Sequence, residues 1–381
     1  MSKVIYLDYA ATTRTDPSVL EAMKPFFFES FGNASSPHSI GQKARKSIED
    51  SRAILANFIG AKPSEIIFTS GATESNNQAM LTMALSLFHK GRHVIVSAIE
   101  HHSVLEGAHR LSKLGFEVSF VKPQADGIID PQDVARLIKE DTILIAVHHA
   151  NNEIGTIQPV EEIGAITREK GICFLVDATQ TIGHIPVDVR KISCDLLSLS
   201  AHKFYGPQGV GALYVREGLK AEPRLYGGDQ EKGRRAGTHN LAGIVGLGKA
   251  IELARANMDK EAKEQTTLRD HIIEYVLANI GGSTLNGHRQ KRLPNNAHFS
   301  FEGLEGEQLV TALDMAGIAI SQGSACTWGS LDPSHVLKAI GLSDELSLGS
   351  LRVTLGRWTT KDDVDFFLGQ LKLKVEQCRK K

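Results

Sequence analysis

The chain has 381 residues, of which 41% are hydrophobic and 23% charged, an ordinary balance for a chain that folds around a large core. That length exceeds what one core usually supports, so two domains are expected. A net charge of −1 excludes broad attraction to nucleic acid or anionic lipid, and no apolar run approaches the roughly 18–20 residues that span a bilayer.

The opening "MSKVIYLDYAATT" lacks the basic-then-apolar layout of a signal peptide, which points to the cytoplasm. Cys173, Cys194, Cys326 and Cys378 lie far apart with no CxxC pair, and no HExxH occurs among the fifteen histidines. Neither a disulfide framework nor a metal centre is expected.

From about residue 40 to residue 260, short apolar runs alternate with amphipathic ones. Strands are predicted over 66–70, 94–99, 118–121, 143–147, 173–177, 196–200 and 210–215, with helices over 74–88, 104–114, 133–139 and 161–170 between the earlier ones. Nearly continuous apolar strands alternating with helices predict an α/β domain, with a mostly parallel sheet of seven strands between helical layers. A long helix over 241–258 leaves this domain. A second helix, 261–280, precedes the basic stretch "GGSTLNGHRQKRLPNN", whose His288–Arg292 run is expected to be a solvated loop. Strands over 297–301, 318–321 and 351–355, with helices over 307–316 and 361–377, then predict a smaller α+β domain. The expected division is an arm over 1–15 packing with the small domain, a large domain over 16–260 and a small domain over 261–381.

In an open parallel sheet, ligands bind beyond the carboxyl ends of the strands. The first predicted strand runs into "SGATESNN", a glycine turn feeding a helix whose free amides and positive dipole suit a phosphate. Thr73 adds a hydroxyl there. The second ends near His101, the fourth near Asn152 and the fifth in "VDATQ", with Asp177 directly after an apolar run. An unpaired carboxylate at that place is costly, so a cationic partner is expected. The sixth ends in "SLSAHK" with Ser200, His202 and Lys203, and lysine is rarely buried without a partner. A phosphate cup, an acid, a flat ring donor and a lysine at neighbouring strand ends amount to a site for pyridoxal phosphate. Lys203 would join the aldehyde covalently. Asp177 would hold the ring nitrogen protonated and Gln180 would reach the phenolic oxygen. His101 would stack on the ring, while Thr73, Ser200 and His202 would hold the phosphate.

Blocks along nearly the whole chain, "YLDYAATT", "SGATESNN", "EHHSV", "NNEIGTIQP", "VDATQTIGHIPVD", "SLSAHKFYGPQGVGALYV", "RRAGTHN" and "GSACTWGSLDPSHVL", resemble the cysteine desulfurases of the class-V aminotransferase group, within fold type I of the pyridoxal-phosphate enzymes. The resemblance places the cofactor site on Ala72, Thr73, His101, Asn152, Asp177, Gln180, Ser200, His202 and Lys203. It adds Thr238 from a second subunit, hence a homodimer, and gives Arg352, helped by Asn152, the substrate carboxylate. It implies that Lys203 moves the substrate α-proton and that His101 assists in acid–base steps. Cys326, in a Gly/Ser/Ala-rich loop, would take the sulfur of L-cysteine as a persulfide, leaving alanine. The sulfur would pass to an iron–sulfur scaffold protein, a tRNA-thiolation relay or both, without direct nucleic-acid or membrane binding. A selenocysteine lyase or another class-V enzyme is the alternative. Two departures, Asp229 in "YGGDQEKG" and Ala236 before Gly237-Thr238, stand where the family shows glycine and serine.

Overall fold

The computed structural model describes residues 4–220, 222–323 and 332–379. At its centre lies a seven-stranded sheet, built from β1 (Ile66–Thr69), β2 (His93–Ser97), β3 (Glu117–Val121), β4 (Thr142–Ala146), β5 (Cys173–Asp177), β6 (Leu196–Ser200) and β7 (Gly211–Val215). Their order across the sheet is β1-β7-β6-β5-β4-β2-β3. Only β7 runs against its neighbours; the other six point the same way.

Successive side chains of a strand face opposite sides, so an all-apolar run needs cover on both. Leu197 and Leu199 turn into a core with Ile48 and Leu55 of helix α1 (Ser39–Phe58). Leu196 turns the other way, into a core with Met80 of α2 (Ala72–Ser86) and Leu111 of α3 (His102–Lys113). Burying each leucine contributes roughly 1.5–3 kcal/mol, which is why "LLSLS" forms an interior strand.

The two helices expected over 241–258 and 261–280 are one, α4 (Leu241–Asn279), of 39 residues. Residues 259–261 hold neither glycine nor proline, so nothing stops the helix there. The apolar pattern changes instead. Ile244, Leu247 and Ile251 join the core beside the central sheet, whereas Ile272, Ile273 and Val276 join a second core. That second core lies on an antiparallel sheet of β8 (Ser283–Leu285), β9 (Asn296–Phe301) and β10 (Ser350–Thr354), covered by Phe367 and Leu371 of α5 (Lys361–Arg379). Two strands escaped prediction by their brevity: β8, and Ile5–Tyr6, which pairs in parallel with Ile318–Ala319. No helix among the described residues is long and apolar enough to cross a membrane.

The basic stretch is not wholly solvated. Arg292 is buried, its Nη2 donating to the carbonyls of Ile154 and Asn286 at 2.8 and 2.6 Å. Burial lowers its affinity for a proton to a pKa of about 9.

Another buried charge ties the segment 229–240 to the sheet. The Glu231 carboxylate receives both terminal nitrogens of Arg52 at 2.6 and 2.8 Å, the Phe68 amide at 3.1 Å and lies 2.8 Å from His239 Nε2. Burial pushes this carboxyl up, but the His239 and Arg52 hydrogen bonds and the Arg52 charge outweigh it and bring it down to about 2. A depressed carboxyl stabilises the fold above its unfolded value near 4.5 and loses that contribution as pH falls toward 2. Glu231→Gln is therefore expected to lower stability at neutral pH by on the order of 3 kcal/mol. Its deficit relative to the native chain should shrink steadily between about pH 4.5 and pH 2 in thermal melts; a deficit constant across that window would contradict this origin.

Candidate active site

The carboxyl ends of β1, β2, β4, β5 and β6 open on one cavity of about 530 Å³, within the range that holds a small cofactor with its substrate. Its phosphate-like end is the start of α2. Gly71 precedes the helix without any side-chain cap, so the first amides keep their hydrogen-bonding capacity. Ala72 and Thr73 line the cavity here, with Ser200 and His202 beside them. A close approach builds this corner: a Cβ on Gly211 of β7 would fall 2.7 Å from Gly71 Cα, so only glycine lets the loop after β1 rest there.

Lys203 ends a single helical turn, Ala201–Lys203, directly after β6. Its Nζ donates to the Ala10 and Ala11 carbonyls at 2.6 and 2.8 Å. Two residues on, Tyr205 holds φ at +67°, a conformation a bulky residue keeps only when its surroundings enforce it. Here they do: the Tyr205 amide donates to Thr13 Oγ1 at 2.8 Å, its hydroxyl accepts from the Arg357 amide at 2.7 Å, and its ring packs edge-on against Trp358 and Tyr9. The lysine thus projects from a turn pinned by both the N-terminal arm and the segment after β10.

Asp177, at the end of β5, is 7% exposed. Its Oδ2 accepts from Asn76 Nδ2 at 2.7 Å and its Oδ1 from the Thr179 amide at 2.9 Å. These are neutral donors, so among the described residues the expected cation does not come from a side-chain ion pair. Gln180 lines the same wall and donates to the Ala10 carbonyl at 3.1 Å. His101 caps α3 through its Nδ1. Burial, foremost, lowers its pKa, with the Lys203, His102 and His335 charges acting the same way against Asp177. His202 is driven to about 4 by burial and then by Lys203, so it stays neutral at pH 7 and hydrogen-bonds Thr12 Oγ1 at 3.0 Å.

Arg352 enters from β10. It is 2% exposed, not on a solvated strand face, and lines the cavity. Its Nη2 donates to Asp8 Oδ1 at 2.8 Å and its Nη1 to the Asn152 carbonyl at 2.9 Å, while its buried Nε has no hydrogen-bond partner among the described residues. That leaves one hydrogen on each terminal nitrogen for a planar anion.

The structure therefore gathers Ala72, Thr73, His101, Asn152 and Asp177 with Gln180, Ser200, His202, Lys203 and Arg352 around one cavity. Thr238 is exposed and does not line it. Cys326 lies outside the described residues. Cys173 and Cys194 are buried, and burial raises both thiols, which keeps them unreactive. Asp8, Ala10, Ala11, Thr12, Asn76 and Ser103 were missed as site residues. The block "YLDYAATT" carries four of them, but nothing in a short arm announces that its carbonyls will face a lysine far along the chain.

The donor set fits pyridoxal phosphate. Uncapped helix amides and Ser200 suit its phosphate, the Asp177 carboxylate suits a protonated ring nitrogen, and Lys203 suits its aldehyde.

Comparison with known proteins agrees. The model of the family "Aminotransferase class-V" matches residues 5–367. The cysteine desulfurase IscS of Dictyoglomus turgidum is 53% identical over 379 residues, covering 100% of this chain and 96% of that one. The cysteine desulfurase IscS of Clostridium botulinum is 49% identical over 381 residues, with the same coverage. Among solved structures, a NifS-like protein superposes with a TM-score of 0.93 at 38% identity, covering 98% of this chain and 100% of that one. SspA in complex with cysteine gives a TM-score of 0.83 at 40% identity, covering 93% of this chain and all of that one. With likeness of this degree along its whole length and a lysine, an acid and a helix N-terminus converging at the strand ends, the chain belongs to the class-V aminotransferase family, among its cysteine desulfurases.

Proposed function

We infer that the cavity takes L-cysteine, removes its sulfur and leaves L-alanine. The observation that carries this reading is the placement of Lys203, Asp177 and Arg352 on one cavity in a chain 53% identical to a cysteine desulfurase. Bound pyridoxal phosphate supplies an aldehyde that joins an amine and a ring that stabilises negative charge at the adjoining carbon.

The chain's own residues do the rest. Arg352 offers the remaining hydrogens of its terminal nitrogens to the substrate carboxylate, with Asn152 beside it. Lys203 Nζ takes the α-proton, and Asp177 keeps the ring nitrogen protonated. His101 handles a proton near the substrate thiol. The Cys326 thiolate attacks the substrate sulfur: one S–S bond forms, the C–S bond breaks with its electron pair moving to the carbon side, and protonation there yields alanine. Atoms balance as cysteine plus enzyme thiol giving alanine plus enzyme persulfide. In this reading the persulfide passes to an iron–sulfur scaffold protein or a tRNA-thiolation relay in the cytoplasm. A second copy of the chain supplies Thr238 to complete the phosphate cup. Support for pairing comes from Phe27, Phe28 and Phe31, each 64% exposed within five residues, more apolar surface than a lone subunit usually leaves in water.

Mass spectrometry of the holoenzyme after incubation with L-cysteine tests this reading. One added sulfur atom on Cys326 is expected, absent in Cys326→Ala, which should still bind the cofactor. Undiminished alanine and sulfide production by Cys326→Ala, without external thiol, would remove that residue from the reaction.

A further inference from the structure

His101 is bound in a chain of hydrogen bonds whose direction can be followed atom by atom. Its Nδ1 accepts from the Ser103 backbone N–H at 3.1 Å, as the N-cap of α3, and lies 2.9 Å from Ser103 Oγ. That hydroxyl receives Asn76 Nδ2 at 2.9 Å, and the same amide nitrogen donates to Asp177 Oδ2 at 2.7 Å. A backbone N–H can only donate, so Nδ1 presents a lone pair. Asn76 must keep its nitrogen toward the carboxylate, because a flipped amide would set oxygen against oxygen. With Nδ1 bare, the 2.9 Å contact needs a proton from Ser103 Oγ, so that hydroxyl donates to Nδ1 while it accepts from Asn76. A neutral imidazole carries a single N–H. On His101 it is on Nε2.

We propose that Ser103 and Asn76 are positioning residues that lock His101 as the neutral Nε2–H tautomer, so that it meets the substrate as a proton donor. The proposal rests on the reading that His101 faces the substrate. Protonating Nδ1 would forfeit the helix cap and force the Ser103 hydroxyl to turn away, so the network itself resists the imidazolium form. Among the described residues, the charged and titratable groups acting on the ring are Asp177 from the end of β5, which favours imidazolium, and Lys203, His102 and His335, which oppose it. Glu100, one residue earlier, turns its carboxylate to His148, at 2.8 Å from the amide and 3.1 Å from Nδ1. The network also joins the acid expected at the ring nitrogen to the imidazole expected over the ring face. Two neutral side chains thereby link both sides of one chemical group.

The test is nitrogen-15 NMR of the holoenzyme labelled on histidine, with the His101 signals assigned by their loss in His101→Gln. A proton on Nε2 and a bare Nδ1 at neutral pH are expected; a proton on Nδ1, or imidazolium at pH 7, overturns the proposal. In Ser103→Ala the His101 titration is expected to move to higher pH, because a donor to Nδ1 is gone while the backbone N–H remains, and Ser103→Thr should restore it. A titration identical in Ser103→Ala and the native chain equally overturns it, since a merely structural serine would leave that midpoint in place. These readouts need no turnover, so they stand or fall separately from the desulfurase reading.

Discussion

Lys203→Ala is expected to cut alanine formation by roughly 10³-fold or more, the range removed with a group that both attaches the cofactor and moves a proton. No other described residue lining the cavity can replace it. His202 and His101 are both held toward the neutral form by burial, and the Ala10 and Ala11 carbonyls that receive Nζ carry no exchangeable proton. The fold should survive, because the turn is pinned by Tyr205 and Thr13 rather than by the lysine. Reduction with borohydride offers the direct check: a chromophore is fixed to the native chain at position 203 and to no side chain of the variant. Turnover within tenfold of native would remove Lys203 from its role.

Arg352→Ala is expected to raise KM for cysteine by roughly 10- to 150-fold, the equivalent of losing one charge-assisted hydrogen-bond partner, while the colour of the bound cofactor changes little. The same substitution strips Asp8 of its cation at 2.8 Å, so part of any damage could arise in the arm. Arg352→Lys separates the two effects. It keeps a charge for Asp8 but loses the planar fork, so its KM should fall between native and alanine variants. A KM unchanged in both variants would place the substrate carboxylate elsewhere.

The two substitutions differ in how visible their targets were beforehand. Lys203 stood out because a lysine closing an interior strand contradicts its own burial preference. Arg352, alone, reads like any arginine in a strand, and only the family likeness singled it out. Ser103 and Asn76 carried no signal at all: a serine and an asparagine near helix starts are ordinary caps, and their partners lie 2 and 101 residues away. Asp177 was legible as an acid at a strand end, but its hydrogen-bond partners were not.

What the sequence determined alone was the sheet and what stands at its strand ends, because an apolar run flanked by a glycine turn and a helix pattern encodes itself locally. The β5 and β6 bounds were read to the residue, and the others to within two. Only the tertiary structure decided which distant pieces meet: the arm carbonyls on Lys203, Asp8 on Arg352, Glu231 on Arg52, and the single helix joining two cores. The side-chain contacts among these span from 179 to 344 residues of chain, and they form because burying apolar surface on both faces of a sheet brings remote segments together. The polar groups so trapped must then find partners within reach, whatever their distance in sequence.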